Sequence, residues 1–216
     1  LENSILGNRS FGTDAAQAGE MAAAYISGLT GMGVSACVKT FPGLGAVIES
    51  TADGMADTER SQSDMESAEF LAYQAAINAG SEFVMVGTMS APGLTGDNTP
   101  CCLSQTVIGL LRNNLGFDGI VITGALNEAA VKDYNTSAEA AEKALRAGAD
   151  MIYLPENFKE AYEGLLQTAE TDEALRSRID EALLRIYRVK YKDKDITASE
   201  SDVPEEGESG EEVLAE

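Results

Sequence analysis

Histidine is absent from all 216 residues, and cysteine appears only as Cys37, Cys101 and Cys102. With no C-x-x-C pair and no His/Cys cluster, the ligands of a zinc site are missing; no metal or other cofactor is expected. Adjacent Cys101 and Cys102 are poorly placed to bridge each other, so no disulfide framework marks the compartment. No apolar run approaches the roughly 18 residues that a membrane span needs. The first residue is Leu1 rather than methionine, and no signal-peptide pattern follows it. The native start is therefore expected to lie outside this sequence, as in a fragment, a processed product or a trimmed chain.

Basic residues are scarce. Lys and Arg number 15 against 36 Asp and Glu, a formal charge of −21. Residues 195–216 hold nine of the acids and no base, so the remainder still carries −12 (−21 plus 9). Such a field disfavours nucleic acid and anionic membrane, and no nucleic-acid partner is expected. The terminal stretch has too little apolar content to fold alone. We expect a folded region over 1–192 and an acidic disordered tail over 193–216. Apolar residues at 44% and charged residues at 24% suit a single globular domain.

What remains alternates between two periodicities. Asp14 suits the N-cap of a helix over 15–29, with Ala15, Ala18, Ala22, Tyr25, Ile26 and Leu29 on its apolar stripe. Val34–Val38 has strand character, and a long glycine-bearing loop follows it. A helix is expected over 62–79, a strand over Phe83–Val86 and a loop over 88–103. Ser104 suits the cap of a helix to about 115, before a strand over Gly119–Thr123. After a loop and short helix come a helix over 137–147, a strand over Met151–Leu154, and helices near 156–169 and 172–191. Strand followed by helix, four times, implies an α/β fold with parallel strands. A doubly wound sheet and part of a (β/α)8 barrel both satisfy this pattern. In either, ligands meet the loops that leave the strands near Lys39, Gly87, Thr123 and Pro155.

Several segments at those strand ends resemble one family. Asn8-Arg-Ser-Phe-Gly12 resembles its R-S-F-G element, and Lys39-Thr-Phe-Pro-Gly-Leu-Gly45 its K-H-F-P-G-x-G signature. Val84-Met-Val-Gly-Thr-Met-Ser90 is similar to V-M-x-x-H-x-S. Phe117-Asp-Gly-Ile-Val-Ile-Thr-Gly-Ala-Leu126 is similar to the segment that carries the family's nucleophile, and Arg185–Lys190 to its R-I-x-x-x-K ending. In consistent order over about 4–191, the chain resembles the N-terminal domain of family 3 glycoside hydrolases, in the bacterial β-N-acetylglucosaminidase (β-N-acetylhexosaminidase) branch. The resemblance implies a (β/α)8 TIM barrel of which this chain holds about the last four to five strand–helix units, the first three strands preceding Leu1. Relatives work in the cytoplasm, recycling cell-wall fragments, and at the bacterial cell surface, so the compartment stays open.

The family's enzymes are retaining glycosidases. An aspartate attacks the anomeric carbon, and a second group protonates the leaving oxygen and then activates water. In this branch the second group is a loop histidine, suited by its near-neutral pKa. Carried over residue by residue, the nucleophile position is Gly124 and the acid/base position is Ala52, preceded by Ser50 and Thr51. Thr40 and Thr88 replace two further histidines. No catalytic residue is retained. Two sugar-contacting positions survive, Arg9 and Lys39, and the resemblance places Met85 under an N-acetyl group. Glu49 and Glu128 are the carboxylates nearest the lost groups in sequence, but retaining chemistry needs a pair about 5–5.5 Å apart, which sequence does not supply.

Three functions therefore compete. The first is a degenerate, inactive domain with a residual cleft for an N-acetylglucosamine-type sugar. The second is an active β-N-acetylhexosaminidase with substituted groups, hydrolysing terminal N-acetylglucosaminides. The third is a structural or partner-binding fragment, whose open strand edges take a missing N-terminal segment or a homodimer partner.

Overall fold

The computed structural model describes residues 4–192. The expected acidic tail, 193–216, lies outside the described residues. A four-stranded parallel sheet, in the order β1-β2-β3-β4, is built from β1 (Cys37–Phe41), β2 (Phe83–Val86), β3 (Ile120–Ala125) and β4 (Met151–Tyr153). Sequential order with a helical crossover at each step is the arrangement that the alternation implies. The helices are α1 (Ala15–Thr30), α2 (Gln62–Glu66), α3 (Glu69–Asn78), α4 (Pro92–Thr95) and α5 (Gln105–Gly109), which runs on as a π-helical turn over Leu110–Asn114. They continue with α6 (Ala129–Lys132), α7 (Ser137–Ala147), α8 (Phe158–Thr171) and α9 (Glu173–Lys190).

Local chemistry accounts for most boundaries. Asp14 accepts a hydrogen bond from the Gln17 amide at 2.8 Å, and Ser104 accepts one from Val107. Ser61 with Asp64, and Thr136 with Glu139, form reciprocal capping boxes at the starts of α2 and α7. Gly148 closes α7 at φ 114°, a conformation that L side chains avoid. Several boundaries differ from expectation; β3 runs past Thr123 to Ala125, and β4 stops at Tyr153. The first strand begins at Cys37 rather than Val34, because hydrogen bonding to β2 starts there and Val34 and Ser35 stay exposed. The helix expected over 62–79 breaks at Ala68, whose φ −138° and ψ −86° are not helical. The loop over 88–103 contains α4, started by Pro92 at its first position.

The sheet has unlike faces. Val84, Val86 and Val121 are fully buried against the helices, in one core with Phe41, Met65 and Leu111. Lys39, Met85, Ile122 and Met151 share a register level on the opposite face and are exposed or half-buried. At the N-terminal end of the strands, the fully buried Asp150 carboxylate meets three arginines. Arg112 donates to it at 2.6 Å, Arg178 at 2.5 Å and Arg185 at 3.2 Å, and the Val121 amide donates at 2.9 Å. The π-helical turn, β3 and α9 are thereby tied to one group.

Candidate functional site

The C-terminal end of the sheet gathers the loops that bind ligands in parallel α/β folds. Gly124 sits inside β3, buried, one residue before the strand ends. A Cβ placed on it would lie 3.1 Å from the Thr88 methyl group and 3.3 Å from the Val86 carbonyl oxygen. Thr88 is itself buried, and its hydroxyl donates a short hydrogen bond to Glu128. One step toward β1, a Cβ on Gly87 would lie 2.8 Å from the Thr40 methyl. The loop carrying Ser50, Thr51 and Ala52 closes over the same end, where the Thr51 carbonyl accepts from the Ala130 amide at 3.1 Å. Positions 40, 88 and 124, far apart in sequence, therefore border one region, with exposed Ala52 in the loop joined to α6; none of the four has an ionisable side chain.

Glu128 is the carboxylate that reaches this region. The contact with Thr88 spans 40 positions and has no local signature. Its charge is felt by buried Cys102, whose thiol burial pushes up to about 12, against a backbone hydrogen bond and with a smaller push from Glu128. Glu49 is exposed and lies elsewhere, on a depression shared with Asp57 and Arg60.

A separate cavity of about 360 Å³ brings Arg9 and Lys39 onto one wall, together with Thr40, Gly43, Glu69 and Tyr73. Arg9 also donates from its guanidinium group to the Ile5 carbonyl at 3.1 Å. Phe41 is fully buried, with its ring 5.4 Å from Phe70 and 5.1 Å from Tyr73, and anchors the segment that carries Lys39. Gly43 adopts φ 147°, and a Cβ there would stand 2.7 Å from Glu69 Cγ. The Phe-Pro-Gly run thus shapes the backbone, and it does so against Glu69, which sequence reasoning did not single out. Glu69 pairs with Arg60 at 2.8 Å, and its buried Oε2 has no hydrogen-bond partner among the described residues. Met85 is not on this wall. It lies level with Lys39 across the β1–β2 pair, on the open face of the sheet.

The chain is similar to known proteins over most of its length. The model of the "Glycosyl hydrolase family 3 N terminal domain" matches residues 2–189. A β-hexosaminidase, LpqI, of Mycobacterium tuberculosis is 33% identical over 198 residues, which are 88% of this chain and 50% of that protein. A β-N-acetylglucosaminidase/β-glucosidase of Cellulomonas fimi is 30% identical over 88% of this chain and 36% of its own length. The solved family 3 β-N-acetylglucosaminidase of a Paenibacillus species superposes with a TM-score of 0.82 at 30% identity, over 88% of this chain and 37% of that one. The chain thus spans about half the length, or less, of these relatives. Gly124, Thr88 and Lys39 stand on the framework of a chain that belongs to the glycosyl hydrolase family 3 N-terminal domain family.

Proposed function

We propose that this chain is the C-terminal part of a (β/α)8 barrel, catalytically silent, that keeps a cleft for an N-acetylglucosamine-type sugar. The observation that carries the reading is Gly124, a buried strand residue where the resemblance places the attacking aspartate. Without a side chain no ester to the sugar can form there. Ala52 and Thr88 likewise cannot transfer a proton near neutral pH. The cleft reading rests on Arg9 and Lys39, two cationic donors that line one cavity with Glu69. Such groups suit sugar hydroxyls, which both donate and accept.

The test has two arms. Release of chromophore from an aryl N-acetylglucosaminide should match buffer alone. N-acetylglucosamine should raise the melting temperature of the wild type and leave Lys39→Ala unmoved. Hydrolysis above buffer, or an equal shift in Lys39→Ala, contradicts the corresponding half of the proposal.

A second reading, an active hydrolase with a relocated carboxylate, is favoured by the reach of Glu128 to Thr88 beside Gly124. Its signature is hydrolysis that disappears in Glu128→Gln.

A further inference from the structure

We infer that a depression walled by Tyr134 and Lys143 is a further sugar subsite, so that this chain takes an oligosaccharide rather than a single sugar. The inference rests on the sugar-cleft reading above and names the class of ligand for it. The depression holds about 600 Å³ and has three walls: Met55, the loop at Asn98 and Pro100, and the run from α6 into α7 that carries Tyr134, Asn135 and Lys143. The same three segments border the region around Gly124. Met55 follows Ala52 in the loop whose Thr51 carbonyl accepts from the Ala130 amide of α6. Next to Pro100, the Cys101 and Cys102 amides donate to the Met89 and Gly87 carbonyls, on either side of Thr88, each at 2.8 Å. α6 starts directly after Glu128, the partner of Thr88. A ligand longer than one sugar, seated at the C-terminal end of the sheet, would continue into this depression.

The chemistry of the walls suits a pyranose. Tyr134 is 67% exposed, and its backbone is held on both sides. Asn135 donates from Nδ2 to the Val131 carbonyl at 2.9 Å, and the capping box of Thr136 and Glu139 opens α7 directly afterwards. An open aromatic ring on a fixed segment, beside a few polar groups, can take the apolar face of a sugar ring. Lys143 supplies the polar counterpart. It donates to Asn135 Oδ1 at 2.7 Å, a neutral acceptor that occupies one of the three N–H groups of the ammonium and leaves the others for ligand oxygens. Asn98 is exposed and offers an amide that both donates and accepts, as hydroxyls and N-acetyl groups require. Asp97, the carboxylate on the same wall, accepts from the Thr99 amide of its own loop at 2.9 Å. Its charge is thus partly satisfied within that turn.

The experiment is calorimetric titration of the full chain with β-1,4-linked N-acetylglucosamine oligomers of one to four units. Affinity should rise with length, by about tenfold or more from one unit to four, because linked units bind the second subsite intramolecularly. Tyr134→Ala and Lys143→Met should each flatten that rise while keeping the helical spectrum, since both side chains are exposed. Tyr134→Phe keeps the ring and should keep the rise. Lys39→Ala should weaken every length, because it acts on the unit in the cleft. A wild-type affinity that does not change with length overturns the inference and leaves the cleft reading standing. A rise that survives in both Tyr134→Ala and Lys143→Met also overturns it, by placing the added contacts elsewhere. Binding of no oligomer at any length contradicts both the inference and the cleft reading.

Discussion

The two ends of this sheet have had opposite fates. At the N-terminal end, Asp150 keeps three arginines and the Val121 amide, with every contact at 3.2 Å or less. At the C-terminal end, positions 40, 52, 88 and 124 are threonine, alanine, threonine and glycine, where the family resemblance places histidines and an aspartate. Opposite strand ends answer to different demands. Removing one partner of a buried ion network strands the others without water, at a cost of about 3–5 kcal/mol, which exceeds half the stability of a marginal domain. Replacing an aspartate or histidine in a cleft removes chemistry and leaves packing nearly intact. The proposed loss of the reaction would leave this framework in place.

Breaking the intact end should have the largest effect. Asp150→Ala leaves Arg112, Arg178 and Arg185 around an empty centre, and should cost about 3–5 kcal/mol in a urea titration. Rebuilding the depleted end comes next. Gly124→Asp must push past the Thr88 methyl at 3.1 Å and sets a second carboxylate near Glu128, so it should destabilise by about 0.5–3 kcal/mol. It should also stay silent toward aryl glycosides while position 52 is alanine. Thr88→Val removes the donor to Glu128 and should cost about 0.5–1.5 kcal/mol. Lys39→Ala, at an exposed position, should leave stability within about 0.5 kcal/mol while abolishing the melting shift with N-acetylglucosamine.

Smallest is an acid effect on α9. Asp172 caps that helix through the Leu175 amide and accepts from Arg146 at 2.6 Å. The Arg146 hydrogen bond, then the Leu175 amide, holds the Asp172 carboxyl below its ordinary 3.8. A depressed value means that the stabilisation is complete above the ordinary pKa and is lost as pH falls through the folded one. Asp172→Asn keeps a capping oxygen and should lower the melting temperature at neutral pH while flattening its fall in acid.

Much of the framework was legible because it is written locally. Asp14 and Ser104 cap the helices assigned to them, Gly148 ends α7, and Phe83–Val86 is a strand with the bounds read from its apolar run. What escaped was decided by partners distant in sequence. Val34 has strand character, but the register against Phe83–Val86 sets where β1 begins. No glycine or proline announces the break at Ala68. The site shows the same division. The motif positions for Arg9 and Lys39 could be named from sequence, and the structure brings both to one cavity. The Glu69 wall and the Glu128–Thr88 contact depend on how helices seat against strand ends, which no residue spacing encodes.

The most direct test of the depleted end is covalent. A retaining glycosidase of this family would hold the sugar as an ester on its nucleophile, so a mechanism-based fluorinated N-acetylglucosaminide should trap it in an intact-mass spectrum. An unmodified mass is expected after prolonged incubation, with a catalytically competent family 3 β-N-acetylglucosaminidase labelled in parallel. A stoichiometric adduct, mapped by peptide analysis to Glu128 or to any other side chain, would contradict it.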